Sequence, residues 1–267
     1  MILPLVSVVL PVRNGAATLK RAIDSILSQT YPHWELLILD DGSTDETPKI
    51  AASYEDPRIF LVQDGVFLGF AARLNQGVSL AKGAYIARMD ADDFAHPNRL
   101  FQQVAFLEKH PEIDLVGGSV LLIDAKEKQF GRRIFPTTNT QIVARPWLKT
   151  LSIAHPTWLG KTAWFRRWPY RNILRNEDQE LLLRASQTSI YANVPDVVLG
   201  YFHPEPPLLK TLQARWGWAL VLWQYYAPKK RFLPLFLGII VLILKACWAV
   251  LRKLLPPVIL KKTCRNS

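Results

Sequence analysis

Cysteine is nearly absent: the 267-residue chain has two, Cys247 and Cys264, both near the C-terminus. They make no disulfide framework and show no metal-ligand spacing, so a reduced compartment is the default expectation. No Gly-x-Gly-x-x-Gly and no Walker lysine motif occurs, which leaves the common dinucleotide and P-loop readings without support. No internal repeat or low-complexity segment is apparent. Residues 1–5 lack a basic n-region and run straight into a strand-like segment, so no signal peptide is expected. Acidic residues also run out early: the last is Glu205.

That last absence divides the chain. Leu208 to Ser267 holds eleven Lys and Arg and no Asp or Glu, whereas the preceding residues carry 22 basic against 22 acidic. The whole formal net charge of +11 therefore sits in the tail. Such an excess points to nucleic acid or to anionic lipid. The tail is also greasy, which favours lipid. Leu233 to Leu251 is a nineteen-residue run broken only by Lys245, about the length that crosses a bilayer core of ~30 Å. Trp216, Trp218, Trp223, Tyr225 and Tyr226 precede it, and Trp and Tyr favour the membrane–water interface. Lys229-Lys230-Arg231 and Arg252-Lys253 flank the run on both sides, so positive-inside reasoning does not orient a single span. A transmembrane helix fits the length; an in-plane helix fits the symmetric flanks. The span is preferred of the two, with a packed core helix as the third reading. The tail's cations bracket apolar blocks and form no compact patch, so nucleic acid is not an expected partner.

The first 207 residues read as one large α/β domain, supported by 49% hydrophobic content. Val6–Leu10, Glu35–Leu39, Arg58–Val62, Ala84–Arg88 and Leu115–Ile123 read as strands. Between them, apolar positions recur at helical spacing over 18–28 and 70–81, and a helix after Pro97 reaches about Lys109. Ser43 and Glu46 have capping-box spacing and open a further helix toward Tyr54. This alternation predicts a doubly wound, mainly parallel sheet with helices on both faces.

Ligands bind such sheets at the carboxyl ends of the strands. Three polar clusters fall there: Pro11 to Asn14, Asp40 to Ser43, and Asp90 to Asp93. The last holds three carboxylates in four residues. They repel one another unless a cation sits among them, and a hard divalent cation takes oxygen ligands together with substrate phosphates. A solvated acidic turn leading into a helix has the same composition, so both readings stand on these residues alone.

Several fragments, in order, resemble family 2 glycosyltransferases: Val6 to Gly15, Ser25 to Tyr31, Asp40 to Asp45, Leu74 to Gly77, Asp90 to Asp93, His155 to Thr157 and Asn176 to Leu181. The resemblance covers roughly residues 4 to 201. It implies a GT-A type fold, a nucleotide-sugar donor, a divalent metal (Mn²⁺ or Mg²⁺) and inversion at the anomeric carbon. It also implies roles. Asp92 is the metal ligand, with Asp90 beside it meeting metal or ribose; Asp93 is the weaker candidate, equally suited to capping the next turn. Asp41 matches the base-recognising position, Pro11 and Arg13 line the nucleotide pocket, and Arg73 completes the donor site by reaching the diphosphate or else lies on the helix surface. Asp178 matches the catalytic base, with Asn176 capping its helix and Glu177 and His155 on the acceptor side. Trp164 joins the acceptor side on a different ground: it opens the unusually aromatic and basic stretch Trp164 to Tyr170, which lies where acceptors are expected to bind.

One departure is visible. Processive synthases of this family carry Gln-x-x-Arg-Trp after the base, and here Gln213-Ala214-Arg215-Trp216 is one residue short, which favours transfer of a single sugar. The resulting expectation is a catalytic domain over 1–207, facing the cytoplasm, and a membrane-associated tail over 208–267 with its helix at 233–251. The acceptor is expected to be a glycan, lipid-linked, in surface-polysaccharide or glycolipid assembly. Alternatives are transfer to polyprenyl phosphate, an inactive membrane-bound nucleotide-sugar binder and, least favoured, a cytosolic nucleotidyltransferase.

Overall fold

A computed structural model describes residues 3–124, 128–173, 175–203 and 207–254, without the side chains of 252–254. Met1, Ile2, Glu205, Cys264 and the flanking charges of Arg252 and Lys253 lie outside the described residues.

The first half alternates as the spacing predicts. Strands β1 (Val6–Val12), β2 (Trp34–Asp40), β3 (Ile59–Val62) and β4 (Tyr85–Arg88) are parallel and lie in the order β3-β2-β1-β4. Helices α1 (Leu19–Leu27), α2 (Thr47–Ala52) and α3 (Phe70–Leu80) make the crossovers. Every residue of β1, β2 and β4 is buried, as expected for central strands covered on both faces. α3 lies close on this layer through Gly77: a Cβ there would come within 2.5 Å of Val9 Cγ1 on β1. At the amino end of the strands, Ser7 Oγ donates to the buried Glu35 at 2.6 Å, and Glu35 also accepts from the Lys82 backbone at 2.8 Å.

The second half departs from the simple rhythm. β5 (Phe94–Ala95), α4 (Arg99–Lys109), β6 (Leu115–Ile123), β7 (Gln129–Arg133), α5 (Asn139–Ile142), β8 (Leu159–Lys161), α6 (Thr162–Arg167), α7 (Glu177–Ala185) and β9 (Tyr191–Phe202) follow in turn. The sheet continues past β4 as β8-β6-β9-β5, with β7 paired to β6. β8 is antiparallel to both β4 and β6, whereas β6 and β9 are parallel. The sheet is thus mixed, with parallel pairings among β1 to β4 and again between β6 and β9.

Two local expectations are corrected. The Ser43 capping box does not form. Ser43 Oγ instead accepts the Asn14 N–H at 2.9 Å, and α2 starts at Thr47, whose N–H is accepted by Asp45 at 3.0 Å. The loop after β2 is thereby tied to the loop after β1. Asn176 does not cap with its side chain either: it has a positive φ of 66° and its amide donates to the Ala214 carbonyl at 2.7 Å.

The chain divides into two compact units, one of residues 1–144, 151–172 and 185–204, the other of 145–150, 173–184 and 205–267. The second unit thus joins 145–150 and 173–184 to the tail. There, helix α8 (Leu208–Tyr226) packs against α9 (Phe232–Leu254), with Leu222 facing Gly238. Phe232–Leu251 within α9 is long and apolar enough to cross a bilayer, and only 11% of it is buried.

Candidate active site

β1 lies between β2 and β4, and the winding direction reverses there, because β2 and β3 are laid to one side and β4 to the other. A crevice opens at such a switch point, at the carboxyl ends of the strands. Residues after β1, β2 and β4 meet it in the first unit. Val12 aligns with Asp40 across β1 and β2, and Val9 aligns with Arg88 across β1 and β4.

The β4 side carries the acid cluster. One carboxylate oxygen each from Asp90, Asp92 and Asp93 lies within 4.8 Å of the others. Their environments differ. Asp90 is gripped through both oxygens by the buried Arg88 guanidinium, one contact at 2.8 Å. Asp93 is fully buried; one oxygen accepts the Phe202 N–H at 2.8 Å, and the other has no partner. Asp92 has no ion pair among the described residues, while its backbone carbonyl accepts from Arg21 at 2.6 Å. Burial, and then the negative charge of Asp90, push the Asp92 carboxyl up to about 6. Burial followed by the charges of Asp90 and Asp92 holds Asp93 well above the usual carboxylate range. Beneath them Arg99, fully buried, donates to the Arg88 carbonyl at 2.7 Å, and burial pulls its guanidinium down to about 9.

This arrangement fits a hard divalent cation. Arg88 neutralises one of three crowded carboxylates, leaving Asp92 and the orphaned oxygen of Asp93 as oxygen donors of the type such cations take. Because Arg88 occupies Asp90, Asp92 is the better ligand. Arg88 is a candidate site residue that the sequence pattern shows only as the end of a strand. Its signal was there: an arginine two residues before an acid cluster, at the end of a run of apolar residues.

The β2 side carries Asp41, which is buried. It accepts from the backbone N–H groups of Leu68 at 2.7 Å and Gly69 at 3.1 Å, and from Arg73 Nε at 3.1 Å. Arg13, after β1, stacks its guanidinium over Phe67 at 4.0 Å from the ring centre. Pro11 is buried in β1, beyond the stretch paired with β4, where a missing N–H leaves that ladder intact.

Arg73 corrects an expectation. It is neither a surface cation nor open toward a diphosphate. It is 0% exposed and clamped between Asp41, Asp64 at 2.6 Å, Gln76 at 2.8 Å and the Val66 carbonyl. Its hydrogen bonds hold the Asp64 carboxyl down to about 2. Arg73→Met should leave Asp41 buried without its cation, and breaking a buried pair in this way costs about 3–5 kcal/mol. The lower end is expected, because Asp64 is partly solvated. A urea titration followed by far-UV circular dichroism reads this as a lowered midpoint; an unchanged midpoint would remove the clamp role.

Trp164 and His155 are also buried. Trp164 lies in α6, donates its indole N–H to Ser189 at 2.8 Å, and packs edge-on against Trp158, Phe165 and Tyr191. It is a core residue and offers no open face for a sugar. His155 Nε2 meets the Tyr170 hydroxyl at 2.9 Å, and its ring packs on Trp158 and Phe70. Burial, with a smaller contribution from Arg88, drives its pKa well below the ordinary value, so the ring is neutral.

Glu177 and Asp178 belong to the second unit, in the first turn of α7, both half-buried. Asp178 accepts from Gln179 at 3.2 Å. The short motif Gln213 to Trp216 falls inside α8, where Arg215 is half-buried and Trp216 is 64% exposed.

A family model described as "Glycosyl transferase family 2" matches residues 7–174. The putative glycosyltransferase EpsE of Bacillus subtilis (strain 168) is 40% identical over 190 residues, which is 68% of this chain and 66% of that protein. The uncharacterized glycosyltransferase MJ1057 of Methanocaldococcus jannaschii is 30% identical over 189 residues, 68% of this chain and 64% of that one. The match thus spans slightly less than two thirds of each relative. Among solved structures, the mannosyltransferase PcManGT of Pyrobaculum calidifontis, in complex with GDP-Man and Mn²⁺, superposes with a TM-score of 0.68 at 20% identity, covering 98% of this chain and 80% of that one. S. aureus TarS 1-349 in complex with UDP-GlcNAc gives 0.65 at 18% identity, covering 82% and 67%.

Proposed function

The chain belongs to glycosyltransferase family 2, and from that premise we propose that it is an inverting, metal-assisted transferase moving one sugar from a nucleotide-diphosphate donor to a membrane-carried glycan. Its sheet is of the GT-A type. The observation that carries the proposal is the acid cluster at the switch point, three carboxylates within 4.8 Å with one neutralised by Arg88.

A divalent cation held by Asp92, with the orphaned oxygen of Asp93 near it, would supply Lewis-acid stabilisation of the diphosphate leaving group. Arg88 fixes Asp90, which then has one defined orientation toward the donor ribose. Asp41 accepts from a ring N–H of the base, a preference that suits uracil or another imide-like base. Pro11 and Arg13 flank the base. Arg73 acts on the donor only through Asp41, by holding that carboxylate in place. Asp178 takes the proton of the acceptor hydroxyl as general base, with Glu177 beside it.

Residues 1–207 make up the catalytic part in this reading and the tail holds it at a membrane, on the cytoplasmic side. The exposed apolar surface of α9 and the tail's excess of cations support that assignment. The proposal is tested by incubating the full-length protein in detergent with a panel of nucleotide sugars and Mn²⁺ or Mg²⁺. Nucleoside diphosphate is expected to be released from one donor class, and excess EDTA should stop it. Tight donor binding with no release under any condition would instead identify an inactive nucleotide-sugar binder.

A further inference from the structure

The second unit holds a cavity of about 460 Å³ with an unusual lining. Five of its residues are cations: Lys149, Arg175, Lys210, Arg215 and Lys245. Among the described residues that line it none is acidic. Among the described residues none of the five makes an ion pair. Lys245 donates to the Leu148 carbonyl at 2.9 Å, and Arg215 Nε is buried without a partner. Leu148, Trp218 and Leu242 add apolar wall. Five cations around one cavity, with no ion pair among the described residues, repel one another, so the site is built for an anion. The apolar walls select an anion that carries hydrocarbon.

The surroundings supply the second half of the argument. α8 and α9 expose Leu209, Trp216 and Trp223, and Leu233, Phe236, Leu244 and Trp248, residues that favour lipid or its interface. Leu242 and Lys245 sit ten and thirteen residues after Phe232, about 15–20 Å along a helix rising 1.5 Å per residue. In a hydrocarbon core of ~30 Å that is the midplane. A spanning α9 would carry the cavity's lysines and arginines there, where charge is expensive. Lying along the surface instead, the α8–α9 pair keeps its apolar side chains in the interface and its cations at headgroup depth.

We propose that the cavity between α8, α9 and residues 148–150 and 175–176 binds the phosphate headgroup of a membrane amphiphile, with the two helices lying in the plane of the membrane. This rests on the membrane reading of the tail. Its chemistry is that of a phosphomonoester or diphosphate on a lipid, the headgroup class through which a lipid-linked acceptor would be presented.

The test is flotation of the full-length protein with three kinds of vesicle: phosphatidylcholine alone, phosphatidylcholine with phosphatidylglycerol, and phosphatidylcholine with phosphatidic acid, the last two matched in surface charge. At least tenfold tighter binding to the phosphatidic acid vesicles than to the phosphatidylglycerol vesicles is expected. Arg215→Gln with Lys245→Gln should bring the two affinities together while binding to phosphatidylcholine persists. Should that pair fail to fold, Lys149→Gln with Lys210→Gln, at exposed positions, is expected to reduce the same ratio. Equal binding to both anionic vesicles by the native protein, or an unchanged ratio in a folded variant, overturns the pocket and leaves the membrane reading standing. Failure to bind any vesicle overturns both. Stabilisation by inorganic pyrophosphate without any vesicle preference assigns the cavity to a soluble phosphate and overturns the lipid assignment.

Discussion

Asp92→Asn is expected to lower sugar transfer by about 10²–10⁴-fold while the protein remains folded. Lewis-acid stabilisation of a leaving group is worth several kcal/mol, and each ~1.4 kcal/mol is tenfold in rate. Asparagine keeps the size of aspartate and one oxygen but loses the charge that binds the cation. Stability should not suffer, because Asp92 is half-buried, has no ion pair among the described residues, and repels Asp90 and Asp93. Relief of that repulsion should leave the melting temperature unchanged or slightly raised. The same experiment on Asp90 would be ambiguous, since losing that carboxylate strands the buried Arg88. Asp92→Asn separates metal binding from packing. Two measurements check it: turnover against Mn²⁺ concentration, where the variant should need much more metal, and thermal unfolding. Native-like turnover of the variant in excess EDTA would sink the metal assignment.

The part of the fold that forms this site was the part most legible in sequence. β1, β2 and β4 are runs of apolar residues because they are buried on both faces, and their ends are marked by the polar clusters of the crevice. β6 was read with its observed limits for the same reason. β9 escaped, although it is the longest strand. Pro195 and Asp196 interrupt it, and proline within a run argues against a strand. The structure accommodates both at exposed positions, where the register with β6 shifts between Gly118 and Ser119. β7 and β8 were missed as well, being short or, in β7, largely exposed and rich in arginine. Such strands are decided by their neighbours in the sheet rather than by local pattern.

The site was legible in its acids and less so in its cations. Carboxylates clustered at strand ends announce themselves, because only a ligand or a buried counter-ion makes such crowding tolerable. Arg73 read as a donor-site or helix-surface cation and Arg88 as the end of a strand, since sequence does not reveal that a guanidinium is buried against carboxylates. The error with Ser43 has a similar origin. Its hydroxyl has the right spacing for a helix cap, but the N–H of Asn14, 29 residues away, competes for it and wins. Trp164 was assigned by its aromatic and basic neighbours, whereas its partners Trp158, Ser189 and Tyr191 are brought to it by the fold.

Asp178→Asn is expected to cut turnover by about 10²–10⁴-fold, the range for a lost general base, while leaving donor affinity unchanged. Asparagine is nearly isosteric and holds the first turn of α7. The charge lost near the helix N-terminus is worth about 0.3–1 kcal/mol through the helix dipole. The size of the rate loss depends on the acceptor. A glycan hydroxyl has a pKa far above neutrality, so a base must take its proton as the new bond forms. A lipid phosphate is already ionised and needs none. The variant therefore distinguishes the two acceptor classes. A large fall in turnover, with a donor dissociation constant that does not move, supports a hydroxyl acceptor and the base role of Asp178. Unchanged turnover removes that role and transfers the proposal to a polyprenyl phosphate acceptor, for which the cations of the tail would matter more than any carboxylate on α7. Pre-steady-state transfer in detergent micelles, with donor binding measured separately by titration, gives both quantities on the same preparation.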